Sequence, residues 1–594
     1  MAEKQDDKLS AVRHSLAHLL AAAVLELYPN AKNTIGPAIE NGFYQDFEMP
    51  EPISEEDLPK IEQKMRELLK TWGAFERREV TAEEGRKQFE WNPYKVEMLE
   101  ELAAKGTPIT LYTSGAFVDL CRGGHVENAS EINPKAFKLE KVSGAYWRGD
   151  QNKQQLQRVY GVAFATEQEL KAHLTMLEEA KKRDHRKIGQ ELDLFIFSDL
   201  IGAGLPLFTP RGTVLRRQLD AFVQELRDEY DYEEVNIPHI TKKDAYIASG
   251  HWKKFESELF RITTREGHEF AMKPMNCPHH TQIYAARSRS YRELPVRYRE
   301  TTTCYRDEQT GELSGLSRVR AFAQDDAHVF CRTGQIEEEA LKVWDIIDRF
   351  YSIFGFELKV RFSTHDPAHM EAYAGDTEQW QSAEAQLLKI VREKVGDNYA
   401  DGVGEAAFYG PKIDFMAKDA IGREHQVATI QLDFNQPEGF DLTCINEQGE
   451  KERIVMVHAA VMGSIERFLS VYIEHVAGKF PIWLAPEQVR IITLNQDSNI
   501  VDFAQTMASE AKKLGVRVYV DSDNESVGKK IRSAELMKVP YTVVIGQKEV
   551  DSGELVPRIR KDIEVDTEHT PRTAYEFIKT VANEAKTRIT KTSL

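Results

Sequence analysis

Apolar and polar positions change period several times along the chain, and each change marks an element. Between residues 10 and 28, His14, Leu16, Ala17, Leu19, Leu20, Ala23, Val24 and Leu27 recur at helical spacing and predict an amphipathic helix. Gly36-Pro37 and Asn41-Gly42 then mark turns between short strand-like pieces. A charged helix is expected over 54–71, with Ser54 as N-cap and Asp57 three residues later. Over 167–190, Glu, Lys and Arg crowd out apolar positions, the pattern of a connecting helix. A glycine-rich segment, IGAGLPLFTPRG (201–212), leads into a long amphipathic helix over about 213–230. Strand-like segments dominate the middle of the chain, 455–458 among them, and a helix is expected over about 463–476. After Pro481 and Pro486, apolar runs at 489–494, 516–520 and 542–545 alternate with helical stretches near 500–514 and 527–538. Such alternation predicts a small α/β domain with a largely parallel sheet.

Bulk properties narrow the class. A chain of 594 residues exceeds one core, and at roughly 100–200 residues per domain it holds about three to five units. Hydrophobic residues make up 41% and charged residues 29%, as in ordinary soluble proteins. No apolar run approaches the ~18 residues that span a bilayer, so no membrane association is expected. The polar start MAEKQDDKLS is no secretory signal. Five cysteines are too few for a disulfide framework, and a reducing, cytoplasmic setting follows. The net charge of −18 argues mildly against nucleic acid, although a local basic surface would suffice. Lys181, Lys182, Arg183, Arg186 and Lys187 form one such cluster, which reads as a solvated helix face.

Candidate chemistry concentrates in the central block. Arg306 lies in YRDE (305–308), followed after a loop by RVRAFAQDDAHVF (318–330), and far downstream GSIERF (463–468) opens a helix carrying Arg467. Upstream, an amphipathic helix leads into a short strand ending at Pro238. Any one of these arginines fits a surface ion pair. The ordered set resembles the three signature motifs of class II aminoacyl-tRNA synthetases. Formation of an aminoacyl-adenylate builds negative charge on the α-phosphate of ATP, and fixed guanidinium groups stabilise it. Arg306 would bridge carboxylate and α-phosphate. Arg467 would hold a second phosphate and cover one adenine face, with Phe322 on the other.

Cys277 in MNCPHH, His328 in DDAH and His458 in VMVHAAVMGS are possible zinc ligands by type. They are dispersed, and spacing alone does not single them out from buried core residues. The phrases GAYWRGD, KRDHRKIGQELDL, KPMNCP, QDDAHVFC, FYGPKIDF and SIERF extend a resemblance to the threonyl-tRNA synthetase family across nearly the whole chain. That resemblance implies that Cys277, His328 and His458 hold one Zn²⁺ and that threonine binds it through its amino and hydroxyl groups. Met275, Gln324, Asp326, Tyr409 and Gln431 would line the threonine pocket. Glu308, Arg318, Gln426 and Thr429 would join Arg306, Phe322 and Arg467 around ATP, which Mg²⁺ accompanies. A site built to engage a hydroxyl rejects valine, which lacks it, by about 10⁴–10⁵-fold. Serine keeps the hydroxyl and lacks only a methyl group, worth about 1–3 kcal/mol, so an editing step is needed.

The N-terminal block offers one. His14 and His18 stand four apart on one helix face, and Cys121 and His125 lie in DLCRGGH. By ligand type they would pass for a zinc site. The resemblance instead implies an editing domain, related to that of alanyl-tRNA synthetase, whose residues position water and the mischarged ester without a required metal. Lys95 and Asp119 would polarise the ester and hold the tRNA terminus. The C-terminal block resembles an anticodon-binding domain, with Asn524, Glu549, Arg558 and Arg560 in matching phrases, reading unpaired bases of tRNA.

Several positions depart from the family pattern. A small ubiquitin-like module usually precedes the editing domain, and the editing helix stands first here. His279 replaces a usual Gly beside Cys277, Gln45 a common Tyr, and Ala459 a common Arg. The expected fold is multidomain: an α+β editing domain (1–165, two lobes), a helical linker (166–190), a class II catalytic domain with an antiparallel sheet and helices (191–484), and an α/β anticodon-binding domain (485–594). The expected function is a homodimeric threonine–tRNA ligase acting on tRNA(Thr), ATP and threonine, with hydrolysis of mischarged Ser-tRNA(Thr). The alternatives are another class IIa synthetase, such as a prolyl or seryl enzyme, or a non-catalytic RNA-binding paralogue. The retained Arg306, Arg467 and Cys/His/His set speak against the last.

Overall fold

The computed structural model describes residues 2–150, 152–565 and 571–594. They divide into two compact units, Met1–Glu179 and Ala180–Leu594. In the first, the helix Ala2–Leu27 lays its apolar stripe (Leu16, Leu20, Ala23) against Phe43 and Phe47 of an antiparallel sheet. That sheet runs Lys32–Asn33, Gly42–Glu48, Gln155–Ala163, Phe137–Tyr146, with Ala38–Ile39 paired beside Gly42–Glu48. Ser54 caps as expected, with Asp57 reciprocating, but the cap opens a short 3₁₀ turn that passes into the helix Leu58–Leu69. A second lobe packs the helix Pro93–Ala104 on the strands Glu76–Val80, Ile109–Ser114 and Phe117–Leu120 around Phe89, Leu99 and Leu111.

The second unit is built on an eight-stranded sheet. Its order is Glu233–Glu234, Val296–Tyr305, Ala321–Cys331, Val455–Ser464, Glu424–Asp433, Lys412–Lys418, Glu357–Thr364, Tyr399–Val403. Every pairing is antiparallel except the outermost at each edge. Helices Pro210–Asp228, Ile336–Tyr351 and Ile465–His475 contribute Leu219, Val343, Ile347 and Phe468 to its core. Toward the C-terminus, Val518–Asp521, Val489–Thr493 and Tyr541–Ile545 form a parallel sheet, which Arg558–Ile559 closes antiparallel.

Two further expected helices change. The one over 167–190 breaks at Asp184, whose extended backbone (ψ 120°) makes it the N-cap of a separate helix, His185–Glu191. The break turns His185 inward, where its Nδ1 meets Glu474 Oε1 at 2.7 Å and its Nε2 accepts from Leu316 N–H. The helix expected from Gly463 begins instead at Ile465, because residues through Ser464 still pair in the sheet and Ser464 supplies the cap.

Candidate active sites

Strand geometry assembles the central site. Phe322, Gln324, Asp326 and His328 alternate along one strand and so share a face. Register places His328 opposite both Tyr298 and His458, and His458 opposite Gln431. The same alternation turns Asp325 to the other side, beside the bulge that the partner strand makes between Ala460 and Ser464. There its carboxylate accepts from Val461 N–H at 2.9 Å and faces Arg227 at 3.5 Å. Burial pushes the Asp325 carboxyl up to about 7.

A cleft of about 850 Å³ is lined by Arg306, Glu308, Arg318, Phe322, Gln426, Thr429 and Arg467, so all the residues expected around ATP meet in one cavity. Arg306 follows directly on its strand, its N–H donating to Arg320 O at 2.9 Å. Its guanidinium lies between the rings of Phe322 and Phe255, at 5.3 and 5.5 Å from their centroids. Its buried Nε has no hydrogen-bond partner, and neither Arg306 nor Arg467 forms an ion pair among the described residues. Arg318, in contrast, is occupied by Glu308 at 2.7 Å and Glu312 at 3.1 Å.

A smaller pocket of about 330 Å³ shares Arg306, Gln324 and Thr429 with that cleft and adds Met275, Asp326, Tyr409, Gln431 and His458. Every residue expected around threonine lies there. Tyr409 hydrogen-bonds Gln431, and its ring stacks on His458 at 5.0 Å.

Beside this pocket the ligating atoms of Cys277, His328 and His458 lie within 4.8 Å of one another, all three residues buried. The donor set suits zinc, and each imidazole keeps one nitrogen for it. His458 Nε2 faces Asp433 Oδ2 at 2.8 Å, which leaves Nδ1. His328 Nδ1 faces His280, which leaves Nε2, and the two remaining nitrogens are 3.0 Å apart. Burial pushes the Cys277 thiol well up, so a thiolate here needs a cation beside it. His279 points elsewhere, to Thr241 Oγ1.

The first unit carries the other cluster. Gly123 and Gly124 both take positive φ (111° and 86°), which lets Cys121 and His125 fold back on each other. Cys121 Sγ then lies 3.2 Å from His125 Nε2 and 3.5 Å from His14 Nε2. Ser15 Oγ accepts from Val126 N–H at 3.2 Å and also lies 3.2 Å from His125 Nδ1, which fixes the ring in place. Burial is the leading cause that lowers His14, lowers His18 strongly and brings His125 down to about 3. The Cys121 thiol is raised to about 11. A pocket of about 570 Å³ is lined by His14, His18, Lys95, Asp119 and Cys121, with Gln45 in its wall; His125 is outside this lining and stacks on His14 at 4.3 Å.

In the C-terminal domain, Asn524 and Arg558 are exposed, whereas Glu549 accepts from Gly546 N–H at 2.9 Å. Arg560 is turned inward, donating to Phe480 O at 2.8 Å, Lys538 O at 2.7 Å and Asp562. Sequence reasoning missed Ser15, Asn33, His185, His280, Glu300 and Asp433. Only Ser15, between His14 and Leu16, had a local signal.

These features together define a class II aminoacyl-tRNA synthetase with added domains. The family described as tRNA synthetase class II core domain (G, H, P, S and T) matches residues 260–476. An anticodon binding domain matches 488–582, and the threonyl and alanyl tRNA synthetase second additional domain matches 109–160. A threonine–tRNA ligase from Phocaeicola vulgatus is 47% identical over 97% of this chain and 89% of its own length. The crystal structure of the RNA binding domain of threonyl-tRNA synthetase from Cryptosporidium parvum aligns with a TM-score of 0.63 at 34% identity, covering 67% of this chain and 98% of that one. A putative threonyl-tRNA synthetase from Aeropyrum pernix gives a TM-score of 0.58 at 30% identity, covering 68% and 95%. The chain belongs to the threonine–tRNA ligase family.

Proposed function

We propose that the central site joins threonine to ATP and passes it to the 3′ end of tRNA(Thr), and that the N-terminal site hydrolyses Ser-tRNA(Thr). The observation that carries this reading is the pair of unpaired arginines, Arg306 and Arg467, in a cleft that opens onto the Cys/His/His pocket. A carboxylate oxygen of threonine attacks the α-phosphorus as the bond to pyrophosphate breaks. Arg306 faces both groups and stabilises the growing charge, while Arg467 holds departing phosphate oxygens. Cys277, His328 and His458 would hold zinc, which when bound would supply recognition of the hydroxyl that valine lacks. Gln431, Tyr409 and Asp326 orient the amino acid, and Mg²⁺ accompanies ATP.

In the editing pocket burial lowers His14 and His18 below the ordinary imidazole value, so both are uncharged at pH 7 and able to accept a proton from water. The high Cys121 pKa keeps its thiol protonated, so water attacks the seryl ester. Lys95, fixed by Asp119 at 2.6 Å, polarises the carbonyl.

We assign residues 1–165 to editing, 166–190 to the linker, 191–484 to catalysis and 485–594 to anticodon reading. Among the described residues no helix is long and apolar enough to cross a membrane, and a cytoplasmic homodimer is the proposed state. Exposed Ile196 and Leu207, paired on one ribbon, and fully exposed Leu200 at its turn support a subunit contact.

Threonine-dependent ATP–pyrophosphate exchange by the zinc-loaded protein tests activation, and its absence with threonine would overturn the reading. For editing, His14→Ala with His18→Ala should slow Ser-tRNA(Thr) hydrolysis and leave exchange intact. Undiminished hydrolysis would remove the assigned site.

A further inference from the structure

The two histidines facing Cys277 are held from behind by different means. His458 is backed by Asp433, but His328 is backed by another histidine. Nδ1 of His328 lies 2.8 Å from Nδ1 of His280, with the rings perpendicular. Two nitrogens at that distance share one proton, so one donates and the other accepts. The second nitrogen of His280, Nε2, faces Glu300 Oε2 at 3.9 Å. Neither of those atoms has a hydrogen-bond partner among the described residues. His328 and His280 are fully buried and Glu300 is 5% exposed. The other Glu300 oxygen, Oε1, accepts from Ile237 N–H at 3.1 Å and Asn236 Nδ2 at 3.2 Å, so the carboxylate is anchored.

We propose that His280 and Glu300 are positioning residues of the metal site, forming a chain Glu300–His280–His328 that presents Nε2 of His328 to a divalent cation. This rests on the reading of Cys277, His328 and His458 as the ligands. A ligating Nε2 carries no proton, so the proton of His328 sits on Nδ1 and is donated to His280 Nδ1. His280 must then carry its own proton on Nε2, aimed at Glu300. A carboxylate at the end of the chain selects this arrangement, because the reverse polarity would direct an N–H at the metal. Outer partners of this kind fix the tautomer and orientation of a ligand. His279, bonded to Thr241, lies outside the chain.

Three variants of the full-length protein test it, read by zinc affinity against a chromophoric chelator and by the absorption spectrum of the cobalt-substituted form. His280→Leu removes the acceptor, and His280→Asn restores an acceptor oxygen at the Nδ1 position. Glu300→Gln puts a donor where the chain needs an acceptor, while Oε1 still holds Ile237. His280→Leu and Glu300→Gln should each loosen zinc about 10–100-fold and shift the cobalt bands, with His280→Asn within about threefold of the parent. The double variant of Leu and Gln should be no weaker than His280→Leu alone. Parent-like affinity and spectrum in both Leu and Gln variants, or equal loosening by Leu and Asn, would overturn the proposal. Should His280→Leu fail to fold, Glu300→Gln decides. A parent protein that binds neither metal through a thiolate would instead remove the ligand reading itself.

Discussion

Lys95 Nζ lies 2.6 Å from Asp119 Oδ1, with the two side chains only 3% and 4% exposed. Asn33 Nδ2 donates to the other carboxylate oxygen at 3.1 Å, and Leu120 N–H donates to Oδ1. Burial raises the Asp119 carboxyl, while Lys95 and Asn33 pull it down. A buried pair of this kind adds little net stability, yet losing one partner strands the other charge.

Lys95→Met should therefore destabilise the protein by about 3–5 kcal/mol, and Lys95→Met with Asp119→Leu should cost clearly less. Denaturant unfolding monitored in the first unit measures both. A double variant as unstable as the single one would show that packing, not charge, dominates here.

Arg306 and Arg467 give the opposite expectation. Because neither forms an ion pair among the described residues, Arg467→Ala and Arg306→Ala should each cost at most about 1 kcal/mol, the ring contacts of Arg306 included. Exchange activity should nevertheless fall by about 10²–10³-fold. Parallel melting and pyrophosphate-exchange assays check this, and a large drop in melting temperature would reassign them as structural.

Asp433→Asn keeps the shape and retains Oδ1 for the N–H groups of Asn435 and Gln436. It can place an amide N–H against His458 Nε2. Zinc should bind about 10–100-fold more weakly, and KM for threonine should rise with it. Competition against a chelator gives the first number and steady-state kinetics the second.

Acidification should weaken the editing unit. His125 falls to about 3, from an ordinary value of 6.5, chiefly through burial. Between those values the unfolded chain binds the proton and the folded one does not. Stability is therefore full above about pH 6.5 and declines as pH drops toward 3. At pH 5 the contribution of this residue is on the order of 2 kcal/mol, and lowered His14 and His18 act in the same sense. His125→Gln should show a flatter pH–stability profile than the parent, and coincident profiles would exclude His125 as the source.

Local patterns made much of the architecture legible. The helical stripe of Leu16, Leu20 and Ala23, the strand-like segment 455–458, and the βα alternation after Pro486 all appear as elements in the fold. Each reflects a periodicity that the backbone imposes within a few residues. The break at Asp184 was not visible. A helix-friendly run of Lys and Arg conceals it until His185 finds Glu474, almost 300 residues away.

The sequence by itself determined which chemistries are present: His14 with His18 on one helix face, the Cys121–His125 turn, and arginines in an ordered motif set. Tertiary structure alone decided which groups meet. His328 and His458 are 130 residues apart in the chain and are neighbours only because two strands pair in one register. His280, Glu300 and Asp433 enter the site on that same register and on a helix laid over it. Spacing along a chain carries no information about which strand will lie beside which, since long-range pairing follows from burying a shared core.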